Sequence, residues 1–219
     1  MLIAGIAGSE GNLQTANLIN NILSSTGKKI SVIDSKNLLG TNINRIKAYV
    51  SELEKNNTDI LLLKINIDDV EKFLLNDIHF DIMIYPGNLQ DSPNEGNTAA
   101  GEGMERVFLL LADKGIAIVN VDDTALIKML KGMKHNVITY GFNNKASVTT
   151  SSVGDVFLKD SFICCLQKTI SARNGALMEP QEYKLKLDSQ EIDTHDVLAA
   201  ASFAIVNGVD LNNMNAMHV

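Results

Sequence analysis

An α/β fold with a mostly parallel sheet flanked by helices is the class that this 219-residue sequence predicts. Apolar runs of strand length alternate with segments of helical periodicity as far as residue 140, which is typical of a parallel sheet covered on both faces. After residue 147, short strand patterns follow one another without helices between them. This second pattern indicates a small antiparallel sheet near the C-terminal part.

Six apolar runs, several of them rich in Ile and Val, are predicted as strands of the parallel sheet. They are Leu2 to Ala7, Ile30 to Ile33, Ile60 to Ile65, Asp81 to Tyr85, Ile116 to Asn120 and Asn136 to Tyr140. The segments between them show the periodicity of amphipathic helices. These are Leu13 to Ser25, Ile43 to Lys55, Val70 to Leu75, Gly103 to Lys114 and Thr124 to Met133.

The C-terminal part is predicted to hold three short strands and one helix. The strands are Ser147 to Val153, Asp155 to Ile163 and Tyr183 to Leu187. The helix runs from Thr194 to Asn207, and Gly208 suits the position after a helix C-cap. We therefore expect one domain over residues 1–211, made of a parallel core (1–142), an antiparallel sheet (143–190) and a closing helix (191–211), followed by a tail (212–219).

Composition and charge exclude some classes of function. The net charge is −7, and this argues against nucleic acid or an anionic membrane as the main partner. Cys164 and Cys165 are adjacent and show neither a disulfide framework nor metal spacing, so we expect reduced thiols that pack in the core. No secretory signal or span of membrane length is visible. The sequence therefore predicts a cytoplasmic protein.

A glycine-rich loop follows the first predicted strand and leads into a helix, as in P-loop proteins. Gly5, Gly8 and Gly11 lie in this segment. Glycines allow backbone N–H groups to approach a phosphate, and the helix N-terminus adds partial positive charge. A ligand site is expected beyond the carboxyl ends of the strands, where Gly8, Pro86 and Asn120 would gather.

The loop lacks the charges that triphosphate binding needs. Asn12 and Leu13 stand where a lysine and a hydroxyl residue would contact phosphate and Mg²⁺. Glu10 adds a negative charge, and two like charges 4 Å apart repel by roughly 4 kcal/mol at an effective dielectric near 20. Glycines at this spacing also fit a tight strand-to-helix turn that binds nothing.

The order of these patterns resembles the central domain of the Mur ligases, ATP-dependent enzymes that add amino acids to peptidoglycan precursors. The likeness spans nearly all of the chain. Its motifs are Gly5-Ile-Ala-Gly8-Ser9-Glu10-Gly11 for G-x-x-G-[ST]-x-G, Phe80-Asp81-Ile-Met-Ile-Tyr for F-D-x-x-x-F, Val119-Asn120-Val121-Asp122-Asp123 for N-x-D-D, Thr139-Tyr140-Gly141, Asp196-Val-Leu-Ala-Ala-Ala for N-A-L-A-A, and Gly208-Val-Asp210 for G-[IV]-D.

The resemblance implies an adenine-nucleotide site and names its residues. In the family the asparagine of N-x-D-D lies against the adenine, so Asn120, with Asp122 and Asp123, is expected to hold a base or ribose. The loop residues implied for the phosphates are Gly8, Ser9, Glu10, Gly11, Asn12 and Leu13. An alternative stays open for the second group, because Asp123 also suits the N-cap of the helix that starts at Thr124.

The departures from the family fall on residues that carry its chemistry. Lys64 aligns with the metal-binding glutamate of the E-V-S-S strand, and Asn66 and Ile67 replace its serines. The carbamylated lysine of some branches aligns with Met104 or a neighbour. We therefore expect no catalytic or metal-binding residue, weak binding of an adenine nucleotide at most, and no magnesium. The family's N- and C-terminal domains are expected to be absent.

Three hypotheses about function follow. The first is a binding or regulatory module without ligase activity, with a ligase or cell-wall enzyme as its partner. The second is an ATP-dependent ligase to which partner chains supply the missing domains and a cation, for which Arg106 and Lys64 are the substitutes in this chain. The third is a structural subunit. The sequence predicts no oligomeric state.

Other polar residues have simpler interpretations. The four histidines, at 79, 135, 195 and 218, lack metal-ligand spacing and are expected at the surface or in local hydrogen bonds. Asp68 and Asp69 are expected to begin a helix. The glycine- and proline-containing segment from Pro86 to Gly103 fits a lid over the site or a plain connection equally well.

Overall fold

A nine-stranded mixed sheet forms the centre of the computed structural model. The structure describes residues 1–8, 13–38, 43–66, 70–75, 78–86, 106–130, 133–151, 161–186 and 192–213. Its strands are β1 (Leu2–Ala7), β2 (Ile30–Asp34), β3 (Ile60–Ile65), β4 (Phe80–Tyr85), β5 (Leu111–Asn120), β6 (Asn136–Tyr140), β7 (Val148–Thr150), β8 (Ser161–Leu166), β9 (Ile170–Ser171), β10 (Leu177–Met178) and β11 (Gln181–Lys186).

Helices cover both faces of this sheet. They are α1 (Leu13–Ser25), α2 (Ile43–Lys55), α3 (Val70–Leu75), α4 (Thr124–Met129) and α5 (Thr194–Val206), with 3₁₀ turns at Ser35–Leu38 and Leu211–Asn213. Helices α1 and α5 contribute to the core on one face. Helices α3 and α4 contribute to the core on the other face, and α2 packs against it. The apolar runs are strands because both of their faces are buried in this way.

The sheet order is β11-β8-β7-β6-β5-β4-β1-β3-β2. Strands β1 to β6 pair in parallel, and β7 joins them in parallel through Tyr140 and Val148. The predicted fold class is thereby confirmed. The three strands after residue 147 are antiparallel to one another as expected, but they extend the main sheet at β6, and a separate two-stranded antiparallel sheet is formed by β9 and β10.

In the parallel core, strand boundaries agree with the prediction to within one residue, except that β5 begins at Leu111 and not at Ile116. The C-terminal strands shift: β7 is shorter than predicted, and β8 and β11 begin and end at other residues. Of the segment predicted as Asp155 to Ile163, residues 155–160 lie outside the described residues. The tail beyond residue 213 also lies outside them.

One predicted helix is wrong over most of its described part. The helix expected from Gly103 to Lys114 is helical at residues 106–108, and β5 begins at Leu111. Phe80 N donates to the carbonyl of Leu110 over 2.8 Å, and Leu111 pairs with Phe80 in β4. Pairing with a buried neighbouring strand thus outweighs the helical propensity of Leu109 to Lys114.

The C-terminal helix α5 is buried along its length. Asp193 is its N-cap, and the side chain of Asp193 accepts a hydrogen bond from His195 N over 2.7 Å. All ten residues from Val197 to Val206 are buried. Gly208 has φ 74°, which confirms its predicted position after the C-cap. A helix that is apolar on every side belongs in a layer between other elements, and α5 packs on both α1 and the sheet.

The two cysteines form no disulfide. Both cysteines are free, and Cys164 is buried. Burial raises the pKa of the Cys164 thiol well above its usual range. In the part of the chain that the structure describes, no helix is both long and apolar enough to span a bilayer.

Replacing Phe203 with alanine tests the packing of α5. The ring is fully buried, so the substitution should lower the free energy of unfolding by about 3–5 kcal/mol. Urea denaturation followed by circular dichroism measures this change. Leu177→Ala is the control, since Leu177 is 65% exposed and its truncation should change stability by about 0.5 kcal/mol or less. Equal effects of both substitutions would contradict the packing.

Candidate functional site

The candidate site lies where β1, β5 and β6 end. Leu13 begins α1, and Ser9 to Asn12 lie outside the described residues, so their assignment to a phosphate stays a prediction. Gly8 N donates to the carbonyl of Ile65 over 3.1 Å. That amide is already used within the fold, which leaves one donor fewer for an anion.

Asn120 connects two strand ends. Its side chain is buried, with Nδ2 donating to the carbonyl of Pro86 over 3.0 Å and Oδ1 accepting from Asp122 N over 3.0 Å. The expected meeting of Pro86 and Asn120 at the carboxyl ends of neighbouring strands is therefore confirmed. A carboxamide has two donors and two acceptor positions, so Asn120 keeps one of each beyond these two bonds.

Asp122 fixes the turn after β6. Its carboxylate accepts from Phe142 N over 2.6 Å and from Asn143 N over 3.0 Å. His195 Nε2 lies 3.2 Å from the same carboxylate. Gly141 has φ 142°, and a Cβ there would lie 2.5 Å from Asp122 Oδ2, so glycine is required for this close approach. Three groups of the protein thus already contact Asp122.

Asp123 caps the next helix. Its Oδ1 accepts from Leu126 N over 3.0 Å, three residues into the helix, which is the geometry of an N-cap. The capping interpretation of Asp123 is therefore confirmed.

His195 is a site residue that the sequence argument did not select. It lies in the first turn of α5, and besides Asp122 it contacts Asp193, whose Oδ1 is 3.4 Å from His195 Nδ1. Its ring meets the ring of Phe142 edge to face, with centroids 4.5 Å apart. A hydrogen bond is present as expected of His195, but its partner Asp122 is 73 residues away in sequence and not local. Its position just before the Asp196 motif was the signal that would have placed it in the site.

A buried hydrogen bond joins the first turns of α1 and α5. The hydroxyl of Thr15 donates to Asp196 Oδ1, and Thr15 is fully buried. Burial raises the pKa of Asp196, the bond from Thr15 acts in the opposite direction, and the charge of Asp193 raises it further. A carboxylate of α5 therefore lies against the first turn of α1.

Tyr140 lies near several carboxylates of this region. Its hydroxyl donates to the carbonyl of Tyr85 over 3.3 Å. Burial raises the pKa of Tyr140 well above 10, and the nearby carboxylates raise it further. Those carboxylates are Asp196, Asp193, Asp122 and Asp123. Four acidic groups around one strand end disfavour a polyanion and tolerate a neutral group.

Lys64 occupies the position that the resemblance gives to a metal-binding glutamate. Its ammonium lies 2.8 Å from Asp34 Oδ2, while Lys36 N donates to Asp34 Oδ1. The hydrogen bond from Lys64 holds the pKa of Asp34 below its usual value. Arg106, the second candidate cation, pairs with Glu71. Both cations considered as substitutes for the missing lysine already have a carboxylate partner.

Two cavities lie away from this site. One, of about 650 Å³, lies at the C-terminal ends of α1 and α5, and its lining includes Lys28, Asp59 and Asn174. The other, of about 370 Å³, is mainly apolar and lies beneath α2. Neither lining includes a predicted site residue.

The chain resembles known proteins in sequence. No protein-family model matches the chain. It is 29% identical over 155 residues, which are 68% of the chain, to the UDP-N-acetylmuramate–L-alanine ligase of Aquifex aeolicus strain VF5, and spans 31% of that protein.

Solved structures show the same architecture. A UDP-N-acetylmuramoyl-L-alanyl-D-glutamate–2,6-diaminopimelate ligase matches with a TM-score of 0.69 at 18% identity, covering 97% of this chain and 44% of its own. A bifunctional folylpolyglutamate synthase/dihydrofolate synthase with Mn, AMPPNP and L-glutamate bound matches with a TM-score of 0.64 at 11% identity. The match covers 97% of this chain and 55% of that protein. MurF ligase from Thermotoga maritima in complex with ADP matches with a TM-score of 0.54 at 17% identity. The match covers 98% of this chain and 48% of that protein.

Replacing Asp196 with asparagine tests the role of this partly buried carboxylate. The pKa of Asp196 is raised in the folded state above its unfolded value of 3.8. The contribution of Asp196 to the free energy of unfolding is therefore complete below pH 3.8, and it is lost as the pH rises through the folded pKa. Asparagine accepts the bond from Thr15 without a charge, so this loss should disappear and the melting temperature at pH 7 should rise. Thermal unfolding between pH 4 and pH 7 measures the difference.

Asp113→Asn is the control for this measurement, because Asp113 is exposed at the start of β5. It should leave the pH dependence of the melting temperature as in the parent chain. If Asp196→Asn changed only the absolute melting temperature and left its pH dependence intact, the assigned cause of the pKa rise would be wrong.

Proposed function

We propose that this chain, which has the fold of the Mur ligase central domain, binds the adenosine part of an adenine nucleotide and does not catalyse ligation. It acts as a binding or regulatory module. A ligase or cell-wall enzyme is the partner that we propose for it, since its relative by sequence is named as a ligase of UDP-N-acetylmuramate.

The base site is proposed at Asn120, Phe142 and His195. Asn120 retains one donor and one acceptor, which suit the polar edge of adenine. Phe142 is 44% exposed beside His195, so part of its ring is open to stacking by a base. Similar folds have been solved with ADP and with AMPPNP. These residues fit a neutral base without any further charge.

The observation that carries the proposal is the ion pair between Lys64 and Asp34. A magnesium ion needs oxygen ligands, and an ammonium in the place of a carboxylate repels it. The residues here do not fit magnesium, so no step is assigned to that ion. Because Asp34 already neutralises Lys64, the pair adds little attraction for phosphate. Binding energy is then expected mainly from the nucleoside.

A working ligase is the less favoured function. Phosphoryl transfer depends on cations that stabilise the transferred group. Lys64 pairs with Asp34, and Arg106 with Glu71. Recruiting either cation would require breaking its existing pair, which supports the non-catalytic function.

Removing the aromatic ring at Phe142 tests the base site. Stacking of a base on an aromatic side chain is worth about 1–3 kcal/mol, so Phe142→Ala should weaken binding of adenosine by roughly fivefold or more. Isothermal titration with adenosine, ADP and Mg-ATP measures this. Adenosine and ADP should bind within about tenfold of each other, equivalent to about 1.4 kcal/mol.

Tyr49→Ala is the matched control, since Tyr49 is a partly exposed aromatic residue of α2. It should leave adenosine binding unchanged. If titration with adenosine, ADP and Mg-ATP gave no heat of binding, only a role in binding another protein would remain. Tight binding of Mg-ATP, with adenosine unbound, would overturn the proposal.

Restoring the charge of the loop tests the reason for weak phosphate binding. Asn12→Lys combined with Leu13→Thr should raise the affinity for ADP, because a lysine at this position neutralises phosphate charge. Turnover should not appear, since Lys64 still occupies the position of the metal ligand. Titration and a phosphate-release assay, with the chain alone and with a Mur ligase added, check both parts. Sustained phosphate release by the parent chain would establish an enzyme.

A further inference from the structure

The imidazole ring of His195 lies between two carboxylates at the start of α5. Its Nε2 is 3.2 Å from Asp122 Oδ2, and its Nδ1 is 3.4 Å from Asp193 Oδ1. Among the residues that the structure describes, the ion pairs of Asp122 and Asp193 are both with this ring. Each of the two ring nitrogens therefore faces a carboxylate oxygen of its own.

This arrangement suits the protonated ring better than the neutral ring. A neutral imidazole has one N–H donor and one lone pair, whereas the imidazolium has two donors. In either neutral tautomer, one nitrogen of His195 directs its lone pair at a carboxylate oxygen, which is repulsive. Protonation removes this repulsion and gives both carboxylates a cationic partner. Because histidine ordinarily changes charge between about pH 5 and pH 8, the contact is sensitive to pH near neutrality.

Asp122 connects this ring to the turn that carries Phe142. Asp122 Oδ2, the oxygen nearest to the imidazole, also accepts from Phe142 N over 2.6 Å, and Oδ1 accepts from Asn143 N over 3.0 Å. The rings of Phe142 and His195 meet edge to face, with centroids 4.5 Å apart. The imidazole thus contacts Phe142 directly through its ring and indirectly through the carboxylate. A change in its charge acts on the orientation of Phe142 by both routes.

Other titratable groups lie around the ring of His195. Asp196, the next residue of α5, accepts from Thr15 of α1, and burial raises the pKa of its carboxyl. Asp123 lies in the same turn as Asp122 and caps α4. Tyr140 of β6 is neutral, because burial raises its pKa well above 10. The charged groups named here are all acidic, so a proton on the ring lowers the net negative charge of the site.

We propose that His195 is a positioning residue whose protonation strengthens binding of the nucleoside. The imidazolium holds Asp122 from one side, and Asp122 holds the backbone of Phe142 and Asn143, so the open part of the Phe142 ring is fixed for stacking. When His195 loses its proton, its contacts with the two carboxylates weaken and the turn is held less firmly. This inference rests on the base site proposed above, and it adds regulation of that site by pH.

Nuclear magnetic resonance of the full chain without ligand tests the coupling. Between pH 5.5 and pH 8, the amide signals of Phe142 and Asn143 should shift with the same midpoint as the ring protons of His195, because both amides donate to Asp122. In His195→Gln this shift should disappear, since a glutamine amide can donate to Asp122 but does not titrate.

Two further variants are controls for this measurement. His79→Gln should keep the shift, since His79 is exposed just before β4 begins. Asp196→Asn removes the second titrating group beside the ring and should keep the shift as well. If the two amides did not follow the ring of His195, or moved equally in His195→Gln, the proposed coupling would be wrong.

Isothermal titration with adenosine tests the regulation of binding. The dissociation constant should be about threefold to fivefold higher at pH 8 than at pH 5.5, which is the size expected from a partly exposed ion pair. His195→Gln should give the same constant at both pH values, and His79→Gln should behave as the parent chain. Equal affinity of the parent chain at both pH values would overturn this inference and leave the base site standing. A chain that binds no adenosine at either pH would overturn the base site as well.

Discussion

The burial of α5 is the constraint on which the rest of the structure depends. A helix with ten consecutive buried residues cannot lie at the surface, so it must pack between α1 and the sheet. That position brings its first turn to the ends of β5 and β6. His195 and Asp196 reach Asp122 and Thr15 only because the apolar part of the helix is held there. Core packing therefore assembles the polar site.

The carboxylates of this site serve the fold itself. Asp122 accepts the amides of the turn after β6, Asp123 caps α4, and Asp193 caps α5. In a phosphate site, amides at helix ends and loops are offered to the ligand. Here the protein's own carboxylates occupy several of those donors. These hydrogen bonds stabilise the local structure and use amides that would otherwise be open to an anion.

The sequence predicts the parallel core well because the apolar runs are short and most of them are buried on both faces. The strand at Ile60–Ile65 and the helices at Leu13–Ser25 and Ile43–Lys55 agree in their bounds. The segment at Leu109 to Lys114 misleads, since its strand pairing with Phe80 is a tertiary interaction that periodicity does not record. Periodicity also gives no indication of which sheet the strands after residue 147 join.

The sequence predicts the part of the candidate site that lies in one short turn, and it misses the part that depends on tertiary packing. Asn120, Asp122 and Asp123 form one turn that a short motif captures. His195 is 73 residues from Asp122 in sequence, and only the packing of α5 brings the two together.

The ion pair of Lys64 and Asp34 satisfies two partly buried charges near the strand ends. A lone lysine beside a strand end would lose hydration without compensation, and partly buried charges are stable when paired. With Asp34 2.8 Å away, the position needs neither metal nor phosphate to be satisfied. The pair is partly exposed, so its own contribution to stability is about 0–1 kcal/mol. The scaffold is therefore stabilised mainly by its apolar layers.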